Sequence, residues 1–407
     1  MTSETHSPQR PLRPLRPLTA RGRDEPHRVA SPLELFFDLC FVVAIAQAGI
    51  QLAHAVAEGH TGEGVLNYAM QFFSIWWAWM NFTWFASAYD NDDVLYRVVT
   101  LVQIVGVLVL AAGVARAFQH HDYLVVWLGY VIMRLAMVAQ WLRAAHGNPE
   151  GRAGPLRYAV GVTVIQACWV GFLFLHGPAA LVGFIVLGAA EIAVPVWAEF
   201  AGQATPWHPE HITDRYGGFT IIVLGEVVAA IATAVEDALG DKQASPGLVT
   251  VAAAGLLLVF ALWWSYFKHS AAEEIRQSLR WTFVWAFGHY LIFAAVAALG
   301  AGLQISIETL THSIRVSPQY AALAVAIPVA TYLVVHGLLT TRTAKSASTR
   351  LTLLTAALVP AVAAATPAIT LPVSMVIMVV LVAALLAYHL ATEQTLAPVE
   401  SAEGDLA

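Results

Sequence analysis

The sequence predicts an all-α, polytopic membrane protein of about twelve transmembrane helices, arranged as two parallel six-helix repeats. Three observations carry this. The 407 residues are 58% hydrophobic and only 12% charged, with a mean hydropathy of +0.65, against roughly 25% charged residues in a soluble domain. The missing charge is missing from long apolar runs, each close to the roughly 20 residues that cross a bilayer as a helix. When the runs are threaded alternately through the bilayer, 17 of the 21 lysines and arginines fall on one side, the bias of the positive-inside rule.

Residues 1–30 come first and read as a disordered basic tail. Pro11-Leu12-Arg13-Pro14-Leu15-Arg16-Pro17-Leu18 is proline-rich and lacks the apolar stretch of a signal peptide. Its arginines at 10, 13, 16, 21, 23 and 28 are placed to meet anionic lipid headgroups. Ser31-Pro32-Leu33-Glu34 then forms a capping box: Ser as N-cap, Pro at the first helical position, Glu at the third. Spans follow at 33–56, 65–88, 97–117, 123–145, 157–175 and 179–199, the first half (31–200). The second half (201–391) holds 214–236, 247–268, 280–303, 318–340, 350–366 and 370–391. The eleventh span is short and contains Pro360, which predicts a kink. Residues 392–407 carry acids and no Lys or Arg, and read as a second disordered tail. Twelve crossings and the charge bias put both termini in the cytoplasm.

The second span contains Trp76-Trp77-Ala78-Trp79 and the eighth Trp263-Trp264-Ser265-Tyr266. The spans before them open with Phe36-Phe37-Asp38 and Asp214-Arg215-Tyr216. The correspondence is six helices apart. An even number of crossings returns the chain to the same side, so the halves would be parallel repeats, an arrangement that often places a transport site between them.

Leu33–Gln47 (LELFFDLCFVVAIAQ), the run Trp76–Asp93 and His211–Val227 (HITDRYGGFTIIVLGEV) resemble the bacterial low temperature requirement A family. So do Leu262–Lys268 (LWWSYFK) and Gly288–Tyr290 (GHY). The resemblance covers nearly all of the chain after residue 30. It implies a bacterial multi-pass inner-membrane protein, of a family named for a requirement for growth in the cold. Glu34, Phe37, Asp214, Arg215, Trp263, Trp264 and Tyr290 are its motif residues here. Two positions depart from the pattern: Asp214 stands where the family usually has Glu, and Lys268 where it usually has an acid.

Ionisable residues inside apolar spans are the functional candidates, because lipid cannot solvate a charge. Glu226 lies about 12 residues into the seventh span, ~18 Å at 1.5 Å per residue. It reads as a proton- or cation-binding carboxylate, or as a structural partner of Arg134. Arg134 and Glu191 reach similar depth from the other side and are expected to be electrostatic partners of Glu226. Arg134 keeps its charge and so needs a buried acid or a wet cavity; a fixed Arg–Glu pair and anion binding both remain open. Asp38 shares a helix face with Glu34. It reads as an ion-entry acid or as a partner of the helix dipole, whereas capping accounts for Glu34. His289 is either a neutral imidazole bonded to a neighbouring helix or a relay to Glu226. Asp90, Asp92 and Asp93 read as a solvated loop balanced by Arg97.

Several classes are disfavoured. The chain has no Gly-x-x-x-x-Gly-Lys-Ser/Thr loop, no HExxH and no Ser-His-Asp motif, so neither ATP-driven pumping nor an enzymatic role is expected, and no catalytic residue is assigned. Cys40 and Cys168 both fall within spans and provide no disulfide framework or zinc site. No metal, cofactor or nucleic acid is expected. The expected partners are membrane lipid, a small solute or ion, and a second copy as a homodimer. The reading is a secondary transporter of a small solute coupled to protons or a cation. An ion channel and a membrane enzyme or structural factor in cold adaptation are the rivals.

Overall fold

The computed structural model describes residues 16–22, 25, 28–202, 204–240, 245–268, 271–340 and 346–394. All regular structure among these is helical. Helices α1 (Pro32–Ala57), α2 (Thr61–Tyr89), α3 (Val94–His120), α4 (Leu124–Gly147), α5 (Ala153–Phe172) and α6 (Pro178–Phe200) match the first six expected spans. Next come α7 (Pro209–Gly240), α8 (Pro246–Phe267), α10 (Leu279–Leu310), α11 (Pro318–Leu339), α12 (Ser346–Ala364) and α14 (Leu371–Gln394), which match the other six. Two short helices were not expected: α9 (Ala272–Gln277), before α10, and α13 (Thr366–Ile369), between α12 and α14. Among the described residues, ten helices are long and apolar enough to cross a membrane. The two other long ones, α2 and α5, are diluted by tryptophan, glycine and amide side chains. The chain is a multi-pass membrane protein.

The helix starts are written locally. At α1, the Glu34 carboxylate accepts from the Ser31 amide at 2.8 Å and the Ser31 hydroxyl accepts from the Glu34 amide at 3.3 Å. The capping box therefore forms as its spacing predicts. Ser245, Ser278 and Ser317 cap α8, α10 and α11 by the serine half of that motif alone, each hydroxyl accepting from the amide three residues on. Pro360 lies within α12, which ends at Ala364, and Thr370 adopts a positive φ of 75° before α14 begins.

The chain forms two compact units. The first comprises the segment ending at Phe41, Trp77–Gly113 and Asp122–Ile212; the second comprises Val42–Trp76, Val114–His121 and the chain from Thr213 onward. In the first unit, α3 and α4 meet backbone to backbone. A Cβ on Gly129 would lie 2.4 Å from the Leu110 amide nitrogen. Trp141 of α4 stacks on Tyr158 of α5 with ring centroids 4.2 Å apart. In the second unit α10 is the central helix. Gly302 admits α11 so closely that a Cβ would lie 2.2 Å from the Ala324 carbonyl oxygen. The Tyr68 and Tyr290 hydroxyls donate to the Ala294 and Ala69 carbonyls at 2.7 and 2.8 Å.

The basic tail differs from expectation where it is described. Residues 1–15 lie outside the described residues, but Arg16–Gly22, Glu25 and Arg28 pack in the first unit. The reason lies at the end of α2, where Ala86 still accepts from the Asp90 amide but the carbonyls after it run out of helical donors. Arg28 donates to the Ser87 carbonyl and, at 2.8 Å, to that of Ala86. The Arg21 amide donates to Ala88 at 3.0 Å. Leu18 is fully buried, its backbone so near Gly147 that a Cβ there would lie 2.6 Å away. Of the expected C-terminal tail, residues 392–394 continue α14 and 395–407 lie outside the described residues.

Candidate functional site

The buried polar centre of the first unit is built on α4 and α6. The buried stripe of α4 includes Val126, Tyr130, Arg134, Met137 and Trp141; that of α6 includes Gly188, Glu191, Val194 and Ala198. Arg134 and Glu191, each 2% exposed, meet at 2.8 Å. The Glu191 carboxylate also accepts from the indoles of Trp77 at 2.9 Å and Trp169 at 3.2 Å, and from the Tyr130 hydroxyl at 3.4 Å. Tyr130 also accepts from Arg134, whose guanidinium carbon lies 4.7 Å from that ring's centroid. Desolvation opposes any buried ion pair, and added donors are what offset it. The expectation that both residues serve Glu226 is therefore corrected: each is the other's partner, and Glu226 belongs to the second unit. Which acid meets Arg134 depends on helix register, and depth alone does not reveal it.

The N-terminal ends of α1 and α7 form a second polar group in the same unit. Asp38 is fully buried, and its Oδ1 accepts from the Trp79 indole at 2.7 Å. Glu34, beyond its capping role, lies 3.2 Å from His211 Nε2. The His211 amide donates to His208 Nδ1 at 3.3 Å, so His208 carries its proton on Nε2, which donates to the Glu25 carbonyl at 2.9 Å. His208 and His211 were not identified as candidates from the sequence. Their spacing of three residues, placing both on one face of a first helical turn, was the available signal. Phe37 packs on Phe82 at 4.0 Å.

The acidic turn between α2 and α3 is largely buried, contrary to a solvated loop. Arg97 does pair with Asp92, at 2.7 Å. Asp93, however, is fully buried. It accepts from the Tyr96 amide at 2.6 Å, capping α3, from the Arg16 amide at 2.8 Å, and from Arg143 at 2.8 Å. Burial works to raise its carboxyl, but these donors outweigh it and hold the group below the usual range. Asp90 is the opposite case. Burial and the nearby Glu34 charge push it up to about 6, against the pull of the Asp92 amide, Arg21 and Arg28.

In the second unit Glu226 is half-buried on α7 and has no hydrogen-bond or ion-pair partner among the described residues. His289 is engaged at both ring nitrogens. Nδ1 lies 2.7 Å from the Trp285 carbonyl, to which it must donate, and Nε2 therefore accepts from the Tyr266 hydroxyl at 3.0 Å. That is a neutral imidazole tied to neighbouring groups; a direct relay to Glu226 does not form. Arg215 is fully buried and Asp214 exposed. Tyr290 packs on Trp76 with centroids 5.4 Å apart. The two tryptophan motifs occupy unlike places. Trp76, Trp77 and Trp79 are buried, whereas Trp263 and Trp264 are 47% and 51% exposed on the apolar surface. Among the described residues, no three His, Cys, Asp or Glu side chains are grouped to hold a metal ion.

An uncharacterized protein of Rhizobium meliloti (strain 1021) is 25% identical to this chain over 311 residues, which is 72% of this chain and 73% of that protein. The family model described as bacterial low temperature requirement A protein (LtrA) matches residues 29–387. That match begins just before the capping box and ends within the last long helix, taking in both polar centres of the first unit and Glu226 of the second. The chain belongs to the bacterial low temperature requirement A family.

Proposed function

We propose that the chain is a secondary transporter, without enzymatic activity, that moves a small solute across the bacterial inner membrane in exchange or symport with protons or a cation. Both termini lie in the cytoplasm in this reading, and membrane lipid and a second copy of the chain are its structural partners. The observation that carries the proposal is Glu226. It is a half-buried carboxyl in a membrane helix, with no polar partner among the described residues. A carboxylate left charged there costs several kcal/mol, so the group favours binding a proton or cation, and exchange of that ion is a coupling step. Asp38, buried in the first unit against Trp79, is the entry acid. The Arg134–Glu191 pair supplies a polar centre deep in the bundle.

The test is flux in proteoliposomes holding the purified protein, under an imposed pH gradient and membrane potential, across a panel of small solutes. Wild type is expected to show solute-dependent ion flux that falls in Glu226→Gln and Asp38→Asn. Unchanged flux in both variants, inserted and folded as wild type, overturns the proposal. Flux without any solute points to a channel.

A further inference from the structure

We infer that the first unit contains a binding centre between α4, α5 and α6, formed by Arg134, Gln166 and the Glu191 main chain. It takes a small solute of zero net charge that carries both hydrogen-bond donors and acceptors, such as a zwitterion or an amide. This rests on the transport reading and names its substrate class.

Gln166 is the first observation. The buried residues of α5 include Tyr158, Val162, Gln166 and Trp169, spaced to form one helix face. Tyr158 stacks on Trp141 of α4, and Trp169 reaches Glu191 of α6. Gln166 lies on the same stripe between those two contacts. It is 8% exposed, and neither its amide nitrogen nor its amide oxygen has a hydrogen-bond partner among the described residues. The same is true of Arg134 Nε, on the guanidinium whose Nη2 holds Glu191, and of the Trp127 indole, one turn before Tyr130 on α4.

Pro195 is the second, independent observation. It lies inside α6 four residues after Glu191. Proline has no N–H, so the Glu191 carbonyl loses the donor that an α-helix would supply. α6 stays helical through Pro195, but the Glu191 carbonyl freed beside the buried polar pair gives a transported solute a backbone acceptor, as irregular membrane helices do.

The chemistry of the ligand follows from this inventory. Arg134 Nε, Gln166 Nε2 and Trp127 Nε1 are donors without a partner; Gln166 Oε1 and the Glu191 carbonyl are acceptors. A matching solute must therefore accept and donate. Glu191 already balances Arg134, so a net charge on the solute would be left uncompensated in the bundle interior. The side-chain atoms are sealed from solvent in this packing. Entry thus requires α4, α5 and α6 to part, and unpaired buried groups favour any conformation in which a solute pairs them.

The test reads accessibility rather than flux. In a Cys40→Ser, Cys168→Ser background, Val162→Cys reports from one turn below Gln166, with Gln166→Cys as the second reporter. A water-soluble methanethiosulfonate is applied to the protein in lipid vesicles. Labelling of either cysteine is expected; at Val162→Cys, which keeps the Gln166 amide, it is slowed several-fold by glycine or acetamide and unaffected by acetate or methylammonium. Gln166→Leu on the Val162→Cys background is expected to abolish that protection. No labelling of either reporter in folded protein overturns the centre. Labelling of Val162→Cys that neither glycine nor acetamide slows, or that acetate slows equally, overturns the ligand class. Because labelling needs no coupled ion movement, failure here is distinct from failure of the Glu226 flux test.

Discussion

Replacing Glu191 with leucine is expected to destabilise the first unit more than any other single change at its centre. The substitution leaves Arg134, 2% exposed, without its counter-charge. Stranding one member of a buried pair costs about 3–5 kcal/mol. The indoles of Trp77 and Trp169 lose their shared acceptor as well, at about 1 kcal/mol or more each. The sum, roughly 5–7 kcal/mol, rivals the whole stability of an ordinary domain. Adding Arg134→Met removes the stranded charge and leaves only the indole loss, about 2 kcal/mol. The double variant should therefore be more stable than the Glu191→Leu single. Thermal unfolding of detergent-purified protein, followed by helical circular dichroism, reads this as a midpoint roughly 10–20 °C lower for the single variant and well under half of that for the double. If the two substitutions simply add, so that the double is the least stable, the pair is not coupled as its geometry requires and the reasoning fails.

Two further outcomes are expected. Asp90 titrates near 6 in the folded chain, above its ordinary value of 3.8, so the folded state holds the extra proton between those values and stability falls as pH rises through that window. The loss, about 3 kcal/mol at most, should be complete above pH 6 to 7 and absent in Asp90→Asn; an identical pH profile for the variant counts against it. Trp76→Ala should cost about 3–5 kcal/mol as a buried aromatic, whereas Trp264→Ala, facing the apolar surface, should stay within about 0.5 kcal/mol. Equal losses in the two would show that the motifs are structurally equivalent after all.

The helices were legible because each is an apolar run of bilayer length, and the α1 start because a capping box is a local pattern. The partner of Arg134 was not legible. Arg134, Glu191 and Glu226 have similar depth along their spans, and the choice between the two acids is made by which helix faces α4. The packing of Arg16–Gly22, Glu25 and Arg28 was hidden for a different reason. A proline- and arginine-rich segment has no periodicity, and what orders it is a row of carbonyls at the far end of α2, about sixty residues away in the chain. The unlike burial of the two tryptophan motifs was not legible either, since a motif records composition and the burial of Trp76 against the exposure of Trp264 is a tertiary fact.

The packing of Leu18, Glu25 and Arg28 also sets an order of events during synthesis. Leu18 and Arg28 leave the ribosome before any of the helices they fasten. The Ala86 and Ser87 carbonyls appear only with the end of α2, Gly147 only with the end of α4, and His208, which holds the Glu25 carbonyl, only after α6 is complete. A segment made before the helices is thus fully seated only after six of them are complete. Until the start of α7 emerges its seating is incomplete, because the Glu25 carbonyl still lacks His208; that last bond marks the completion of the first unit.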